Sequence, residues 1–256
     1  RPVAVLTGRA RRFGRPVPPA LPGAGHVVAV HCRQSRDEAE AVATELRALG
    51  ARAEVFAADL ADEPACRALF PAVRDRFGRV DAIVNNASAF TYDDAATAGM
   101  AAMDAHWRAN TAPAVLLAQA FHAHLVAAGG TGCVVNLLDQ KLWNPNPDYF
   151  SYTLSKAALQ AATVMCAQAF APQLRVCGVA PGVTLLSGAM SDAEFTAAHA
   201  LTPLKRSSRP DDIARAVRFL IDSPAVTGTT LVVDGGQHLQ AQPRDVMFLA
   251  RGAAPT

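Results

Sequence analysis

The sequence has few features of proteins that bind nucleic acid, span membranes or depend on disulfides. It contains five cysteines, which form no Cys-x-x-Cys motif or Cys/His cluster, so reduced core thiols are expected rather than a zinc site. The net charge is +2 and its cations are scattered, which argues against a nucleic-acid surface. No uninterrupted apolar run reaches the ~18 residues of a membrane span, and the N-terminus does not resemble a signal peptide. These absences predict a cytoplasmic globular protein without a metal.

What the sequence does contain is an alternation of apolar strands and helical segments, which is typical of a parallel sheet covered on both faces. The predicted strands are 2–6, 25–30, 53–57, 80–84, 133–138, 174–179 and 230–233. Helices are predicted at 36–49, 63–77, 99–128, around 152–156 and at 210–221. We therefore predict an α/β fold, a single doubly wound Rossmann-type domain over residues 1–256. The segment after residue 240 is left open, as an ordered extension or a frayed tail.

Tyr152 and Lys156 lie four residues apart, on one face of a predicted helix. A free tyrosine titrates near ~10, so proton transfer at neutral pH requires its anion to be favoured by about 4 kcal/mol. A lysine cation one helical turn away is a local source of that shift. The pair is a candidate for proton transfer, although the same spacing also occurs by chance on surface helices.

The first turn, from Thr7 to Gly14, follows a strand and contains Gly8 and Gly14, as expected where a backbone approaches a pyrophosphate. At the end of the second strand, His31, Arg33 and Ser35 stand where an NAD-binding fold usually has an acid for the ribose. Arg33 and Ser35 can bind a 2′-phosphate, which favours NADPH over NADH. A solvated Arg33 without that role is the alternative.

Over nearly its whole length the chain resembles the short-chain dehydrogenase/reductase family. The residues that carry the resemblance occur in the family's order: Thr7-Gly8…Gly14, Asp59-Leu60, Asn85-Asn86-Ala87, Asn110, Tyr152-x-x-x-Lys156, Pro181-Gly182 and Asp234-Gly235-Gly236. The resemblance implies that Asp59 and Leu60 flank the adenine and that Asn86 and Ala87 lie along the cofactor. It further implies that Asn110 holds a water in a proton relay to Lys156, and that Pro181 and Gly182 border the nicotinamide. A homotetramer is implied as well.

Asp139 occupies the position at which most family members have a serine that binds the substrate carbonyl. The chain is similar in this respect to the pteridine reductases and the related bacterial dihydromonapterin (alternative dihydrofolate) reductases. The subgroup's first loop has an arginine two residues before the last glycine, matched here by Arg12, and its Ser-x-Phe after the fourth strand is matched by Ser88-Ala89-Phe90. Phe13 and Gly14 of the first loop are predicted, with Arg12, to bind the cofactor. The resemblance implies that Phe90 stacks on a pterin, and that Arg12 and Ser88 contact cofactor phosphate and substrate. The segment 183–205, with Leu185, Leu186 and Met190, matches the family's mobile substrate loop.

The chemistry of Asp139 favours reduction. A carboxylate beside Tyr152 opposes the phenolate and keeps a proton on the hydroxyl, which hydride delivery from NADPH requires at the other end of the reduced bond. A half-buried carboxyl can also hold or steer a proton to a ring nitrogen, and it pairs well with an amino-pyrimidine edge. We therefore predict reduction of a pterin or dihydrofolate-type ring, with Asp139, Tyr152, Lys156 and Asn110 as catalytic residues.

Three alternatives remain open. In the first, the chain is a reductase of ketones or 3-oxoacyl substrates in which Asp139 is a neutral substitution. In the second, the change from serine to Asp139 has impaired the enzyme. In the third, the chain is a non-catalytic NADPH-binding sensor.

Prolines at 16, 18, 19 and 22 predict that the first helix is short, broken or irregular, since proline costs ~3 kcal/mol inside a helix. Trp143, before the catalytic helix, is a candidate for lining the pocket or for packing a lid.

Overall fold

The computed structural model describes residues 2–8, 27–186 and 190–253, with side chains up to residue 250. Within these ranges, seven strands form one parallel sheet in the order β3-β2-β1-β4-β5-β6-β7. The strands are β1 Val3–Leu6, β2 Val27–Cys32, β3 Arg52–Ala57, β4 Ala82–Asn85, β5 Gly132–Leu137, β6 Leu174–Pro181 and β7 Thr230–Val233. The predicted α/β fold with a doubly wound parallel sheet is confirmed.

The helices cover both faces of the sheet. In chain order they are α1 Arg36–Ala48, α2 Glu63–Phe77, α3 Met100–His106, α4 Ala112–Ala128, α5 Phe150–Phe170, α6 Asp192–Ala200, α7 Pro210–Asp222 and α8 Val246–Ala253. Two of these, α6 and α8, were not predicted as helices, and α8 shows that the segment after residue 240 is an ordered extension as far as Ala253. The irregular first helix predicted from the prolines falls on residues outside the described ranges.

The central strands alternate their side chains between two cores. In β1, Val3 and Val5 join a core that contains Phe70 and Phe121, while Ala4 and Leu6 join one that contains residues of α7. This burial on both faces explains why the strands read as continuous apolar runs. By length and composition, the stretch Met100–Ala128 is long and apolar enough to cross a membrane, and it is the candidate span in the described part of the chain. In this fold its Phe121 lies fully buried in the core.

Two elements differ from prediction in ways that matter for the site. Strand β2 continues to Cys32, because His31 pairs with Phe56 of β3 and Cys32 with Ala57. His31 therefore lies inside the strand and not beyond its end. The predicted helix 99–128 is interrupted by a π-helical turn, Trp107–Thr111, which contains Asn110. π-turns inside α-helices are frequent at functional sites.

The strand order reverses between β1 and β4: the sheet continues from β1 to β2 and β3 on one side, and from β4 to β5, β6 and β7 on the other. In open α/β sheets, ligands bind beyond the carboxyl ends of the strands at this switch point. The fold therefore predicts a ligand-binding site among the loops that follow β1, β2, β4, β5 and β6.

Candidate active site

A cavity of about 540 Å³ opens at the carboxyl ends of the strands. It extends from the end of β2 to the first turn of α5 and the loop after β6. Of the predicted site residues, those that line it are Gly8, Arg33, Ser35, Asp59, Leu60, Asn86, Ala87, Ser88, Phe90, Asp139, Tyr152, Lys156, Pro181 and Gly182. The structure thus brings together in one cavity most of the residues singled out in the sequence. Their individual roles stay predictions.

The predicted residues that are not in this lining fall into three groups. His31 and Asn110 are buried behind the cavity wall. Arg12, Phe13 and Gly14 lie outside the described residues, so their predicted contacts with cofactor and substrate stay predictions. Trp143 ends a short 3-10 helix, Gln140–Trp143, and is partly exposed rather than part of the lining.

Tyr152 and Asp139 form the centre of the site. The Tyr152 hydroxyl donates a hydrogen bond of 2.9 Å to Asp139 Oδ2, and the Lys141 backbone N–H donates one of 2.9 Å to Asp139 Oδ1. Burial raises the pKa of Asp139 from its ordinary value, and these two hydrogen bonds counteract that rise. The pair can therefore hold a proton on the tyrosine and, at lower pH, a second one on the carboxyl.

Lys156 is a buried cation beneath Tyr152. Its Nζ donates to the Leu137 carbonyl at 2.7 Å and lies 5.8 Å from the centroid of the Tyr152 ring. Burial lowers the pKa of Lys156 from 10.5 to about 8, and the charge of Asp139 acts in the opposite direction. An ammonium carries three N–H donors, so beside its bond to Leu137 this side chain has capacity for hydroxyls of a ligand in the cavity.

Asn110 joins the π-turn to the active-site loops. Its Oδ1 accepts from the Ala89 N–H at 2.6 Å, and its Nδ2 donates to the Ala89 carbonyl and to Ser155 Oγ. Ser155 Oγ in turn donates to the Tyr152 carbonyl at 2.7 Å. The side chain of Asn110 therefore ties the loop after β4 to the helix that carries Tyr152. Its predicted role in a water relay to Lys156 stays a prediction.

Phe90 contributes an aromatic wall. Its ring stacks on Tyr149 with the centroids 4.1 Å apart and meets Tyr152 edge-on at 4.7 Å. Tyr149 itself has a φ of +53°, which bulky side chains seldom adopt. A flat ring entering the cavity beside Phe90 would meet an aromatic edge already ordered by two tyrosines.

The far end of the cavity fits a cofactor phosphate. Arg33 is exposed and Ser35 half-buried there, and both line the cavity. Glu38 lines the same end, an acid that the sequence reasoning did not weigh. The combination of a cation at this end and the buried ammonium of Lys156 at the other matches a phosphorylated dinucleotide with ribose hydroxyls.

Sequence reasoning missed a set of charged residues that connects the loop after β5 to the C-terminal segment. Lys141 is buried, and its Nζ donates to the Asp148 carbonyl and lies 3.3 Å from Asp245 Oδ2. Asp148 Oδ2 accepts from Arg244 at 2.8 Å and from the Asp245 N–H at 2.7 Å. Lys141 and Asp245 both line the cavity beside Val246 and Met247. The only sequence signal was Lys141 itself, two residues after Asp139.

Comparison with known proteins finds reductases that match nearly the whole chain. A family model described as enoyl-(acyl carrier protein) reductase matches residues 9–238. Pteridine reductase 1 from Leishmania tarentolae is 29% identical over 280 residues, covering 93% of this chain and 96% of that protein. A 3-oxoacyl-[acyl-carrier-protein] reductase from Staphylococcus epidermidis is 30% identical over 245 residues, covering 92% and 98%.

A solved structure is more similar in sequence than these relatives. The crystal structure of the FolM alternative dihydrofolate reductase 1 from Brucella canis, complexed with NADP, superposes with a TM-score of 0.86. It is 38% identical, and the match covers 94% of this chain and 96% of that one. Nearly the whole chain therefore has a counterpart in a structure that contains NADP.

Proposed function

The chain belongs to the short-chain dehydrogenase/reductase family, and from that premise we propose that it reduces a pterin or dihydrofolate-type ring with NADPH. The observation that carries this proposal is the hydrogen bond from Tyr152 to Asp139 in a cavity walled by Phe90. The similar NADP-bound alternative dihydrofolate reductase and the pteridine reductase support it.

The residues divide the work as follows. NADPH, when bound, supplies the hydride to the carbon of a ring C=N bond. Tyr152 supplies the proton to the nitrogen, and Asp139 holds the hydroxyl of Tyr152 in its protonated form by accepting its hydrogen bond. Lys156 binds the ribose and Arg33 the 2′-phosphate, whereas Phe90 and Ser88 contact the substrate ring.

Asp139 also suits the substrate class. A carboxyl with a raised pKa can deliver a proton to a ring nitrogen or accept from an amino-pyrimidine edge. A simple ketone has neither group. The second candidate, reduction of a ketone or 3-oxoacyl substrate, is favoured by the relative that bears the name of a 3-oxoacyl-[acyl-carrier-protein] reductase.

Two variants separate these candidates. Tyr152→Phe removes the proton donor and is expected to lower kcat by about 10²–10⁴-fold on any substrate. Asp139→Ser restores the residue of a ketone reductase, so activity on a dihydropterin should collapse while activity on ketones persists or rises. NADPH consumption with each substrate measures both. Pterin turnover that survives Asp139→Ser would contradict the role given to the carboxyl.

We further infer a cytoplasmic homotetramer. Large apolar side chains are exposed at Met100 of α3, at Trp107 of the π-turn that follows it, and at Leu154 and Met165 of α5. Apolar side chains grouped on neighbouring helices support their burial between subunits.

A further inference from the structure

The loop that leaves β1 at the cofactor end is held to two other strands. On one side, Thr7 Oγ1 accepts from the backbone N–H groups of Asn86 and Ala87, at 3.1 and 3.2 Å. On the other side, the Gly8 N–H donates to His31 Nδ1 at 3.0 Å. The first residues after β1 are therefore fixed from the ends of both β4 and β2.

Gly8 has no room to move toward β4. Its φ of +88° suits glycine, and a Cβ there would lie 2.4 Å from the Cα of Ala87. The residue is thus packed between Ala87 and the ring of His31. Since its N–H donates to His31, Gly8 supports the loop by close packing while this amide stays bonded within the protein.

The His31 ring uses both of its nitrogens. Nδ1 accepts from Gly8, so the ring proton resides on Nε2, which donates to the Ala58 carbonyl at 2.9 Å. Burial lowers the pKa of His31 and so keeps this neutral form. The ring connects the loop after β1 to the loop after β3, and Gly8 and Asp59 in these two loops both line the cavity.

We propose that His31 is a positioning residue for the cofactor, which acts by fixing Gly8, and with it the start of the first loop, in the arrangement that binds NADPH. The sequence predicted that His31 contacts the cofactor, but its side chain lies behind the cavity lining. The proposal rests on the NADPH-dependent function proposed above. It assigns to His31 an effect on cofactor affinity without a contact to the cofactor.

The anchor would act on NADPH affinity through the population of molecules in which Gly8 is placed for binding. Without the anchor, only part of the population would have Gly8 in place, and the apparent NADPH affinity would fall to that fraction of its full value.

Two variants of similar polarity separate the contact with Gly8 from the contact with Ala58. Asn Oδ1 is bonded to Cγ, as is His Nδ1, so His31→Asn keeps an acceptor for the Gly8 N–H. Gln Nε2 is two bonds from Cγ, as is His Nε2, so His31→Gln keeps only a donor for Ala58. We expect His31→Asn to bind NADPH within about threefold of the wild type, and His31→Gln about tenfold more weakly than His31→Asn.

The measurement is NADPH affinity by fluorescence titration, with KM for the substrate and kcat at saturating NADPH, which should both change little. Hydrogen exchange of the Gly8 amide in the cofactor-free protein is the second readout, with protection in the wild type and His31→Asn and loss of it in His31→Gln. Equal NADPH affinity in the two variants, or tighter binding by His31→Gln, overturns the proposal. If His31→Gln does not fold, a His31→Asn variant with NADPH binding weakened tenfold or more overturns it.

The two proposals fail in different ways. A wild-type protein that does not bind NADPH refutes the function proposed above. The exchange rate of the Gly8 amide then still decides whether His31 anchors the loop, since that measurement contains no cofactor. An unprotected Gly8 amide in the wild type refutes the anchor whatever the cofactor affinity.

Discussion

Lys156 is held as a buried cation in an environment that disfavours its charge. Its side chain is only 3% exposed, and burial lowers the pKa of Lys156 to about 8. A lowered pKa of a base means that the charged form destabilises the folded state at pH values below the folded pKa. The lysine therefore lowers the stability of the folded protein. Such a cost is typical of residues that serve binding or catalysis.

Replacing Lys156 by methionine should make the protein more stable and inactive. The fall of the pKa of Lys156 from 10.5 to about 8 corresponds to about 3 kcal/mol of destabilisation of the folded state. The Leu137 carbonyl loses its donor in the variant, at a cost of roughly 1 kcal/mol. The net expectation is a gain of about 1–2 kcal/mol in the free energy of unfolding at pH 7, measured by urea denaturation, with activity lost.

The pH dependence of the same difference has a defined sign. Between about pH 8 and 10.5 the unfolded chain binds a proton at Lys156 that the folded chain has released, so wild-type stability rises with pH relative to the variant. The amount by which the free energy of unfolding of Lys156→Met exceeds that of the wild type should decrease by about 2 kcal/mol between pH 8 and 9.5. A constant difference across this range would show that the ammonium is not destabilised by burial.

At the scale of single residues, the sequence singled out side chains that line one cavity, and their roles stay predictions. Tyr152, Lys156 and Asp139 were identified from spacing and family pattern, and they do meet in the cavity. His31, predicted to bind the cofactor, does not line the cavity, and its contacts depend on the pairing of β2 with β3, which no local pattern shows.

At the scale of elements, most differences came from tertiary contacts and one from an overlooked signal. Helix α6 begins with a capping box, in which Ser191 and Glu194 each bond the other's backbone N–H. That Ser-x-x-Glu pattern was present in the sequence. The sequence of the π-turn at Trp107–Thr111, Trp-Arg-Ala-Asn-Thr, contains no capping pattern of this kind.

The C-terminal segment is attached to the active-site loop through Lys141. Replacing Lys141 by methionine leaves Asp245 and the Asp148 carbonyl without their cation. We expect the free energy of unfolding to fall by about 2–4 kcal/mol, since a partly buried carboxylate loses its partner. Because Val246 and Met247 line the cavity, KM for the substrate should rise, with NADPH affinity much less affected.

Arg67→Met is a matched control for this change. Arg67 pairs with Glu63 on the exposed surface of α2, where an ion pair contributes about 0.3–0.5 kcal/mol. Urea denaturation and steady-state kinetics of both variants provide the comparison. A Lys141→Met protein that resembles Arg67→Met in stability and KM would rule out the structural role assigned to Lys141.

At the scale of the whole molecule, the sheet and its switch point were predictable, because alternating apolar strands and helices allow few topologies. The homotetramer rests on resemblance and stays a prediction. Its test is a Leu154→Glu/Met165→Glu double variant, which places charges on exposed apolar positions of α5. The wild type should have the mass of a tetramer in light scattering, and the double variant a smaller mass.

Leu49→Glu is the control for charge on an exposed apolar residue outside α3, α4 and α5. It should leave the mass of the assembly unchanged. A monomeric wild type, or a double variant that stays tetrameric, would mean that these helices do not form the interface.

The most direct test of the proposed function is the wild-type rate of NADPH consumption with dihydrobiopterin, dihydromonapterin and dihydrofolate, beside a panel of ketones. The bond between Tyr152 and Asp139 predicts a kcat/KM for at least one pterin or folate that exceeds every ketone by tenfold or more. Turnover confined to ketones would contradict the account and make Asp139 incidental. NADPH binding without turnover of any substrate would contradict it as well, and would favour a non-catalytic sensor.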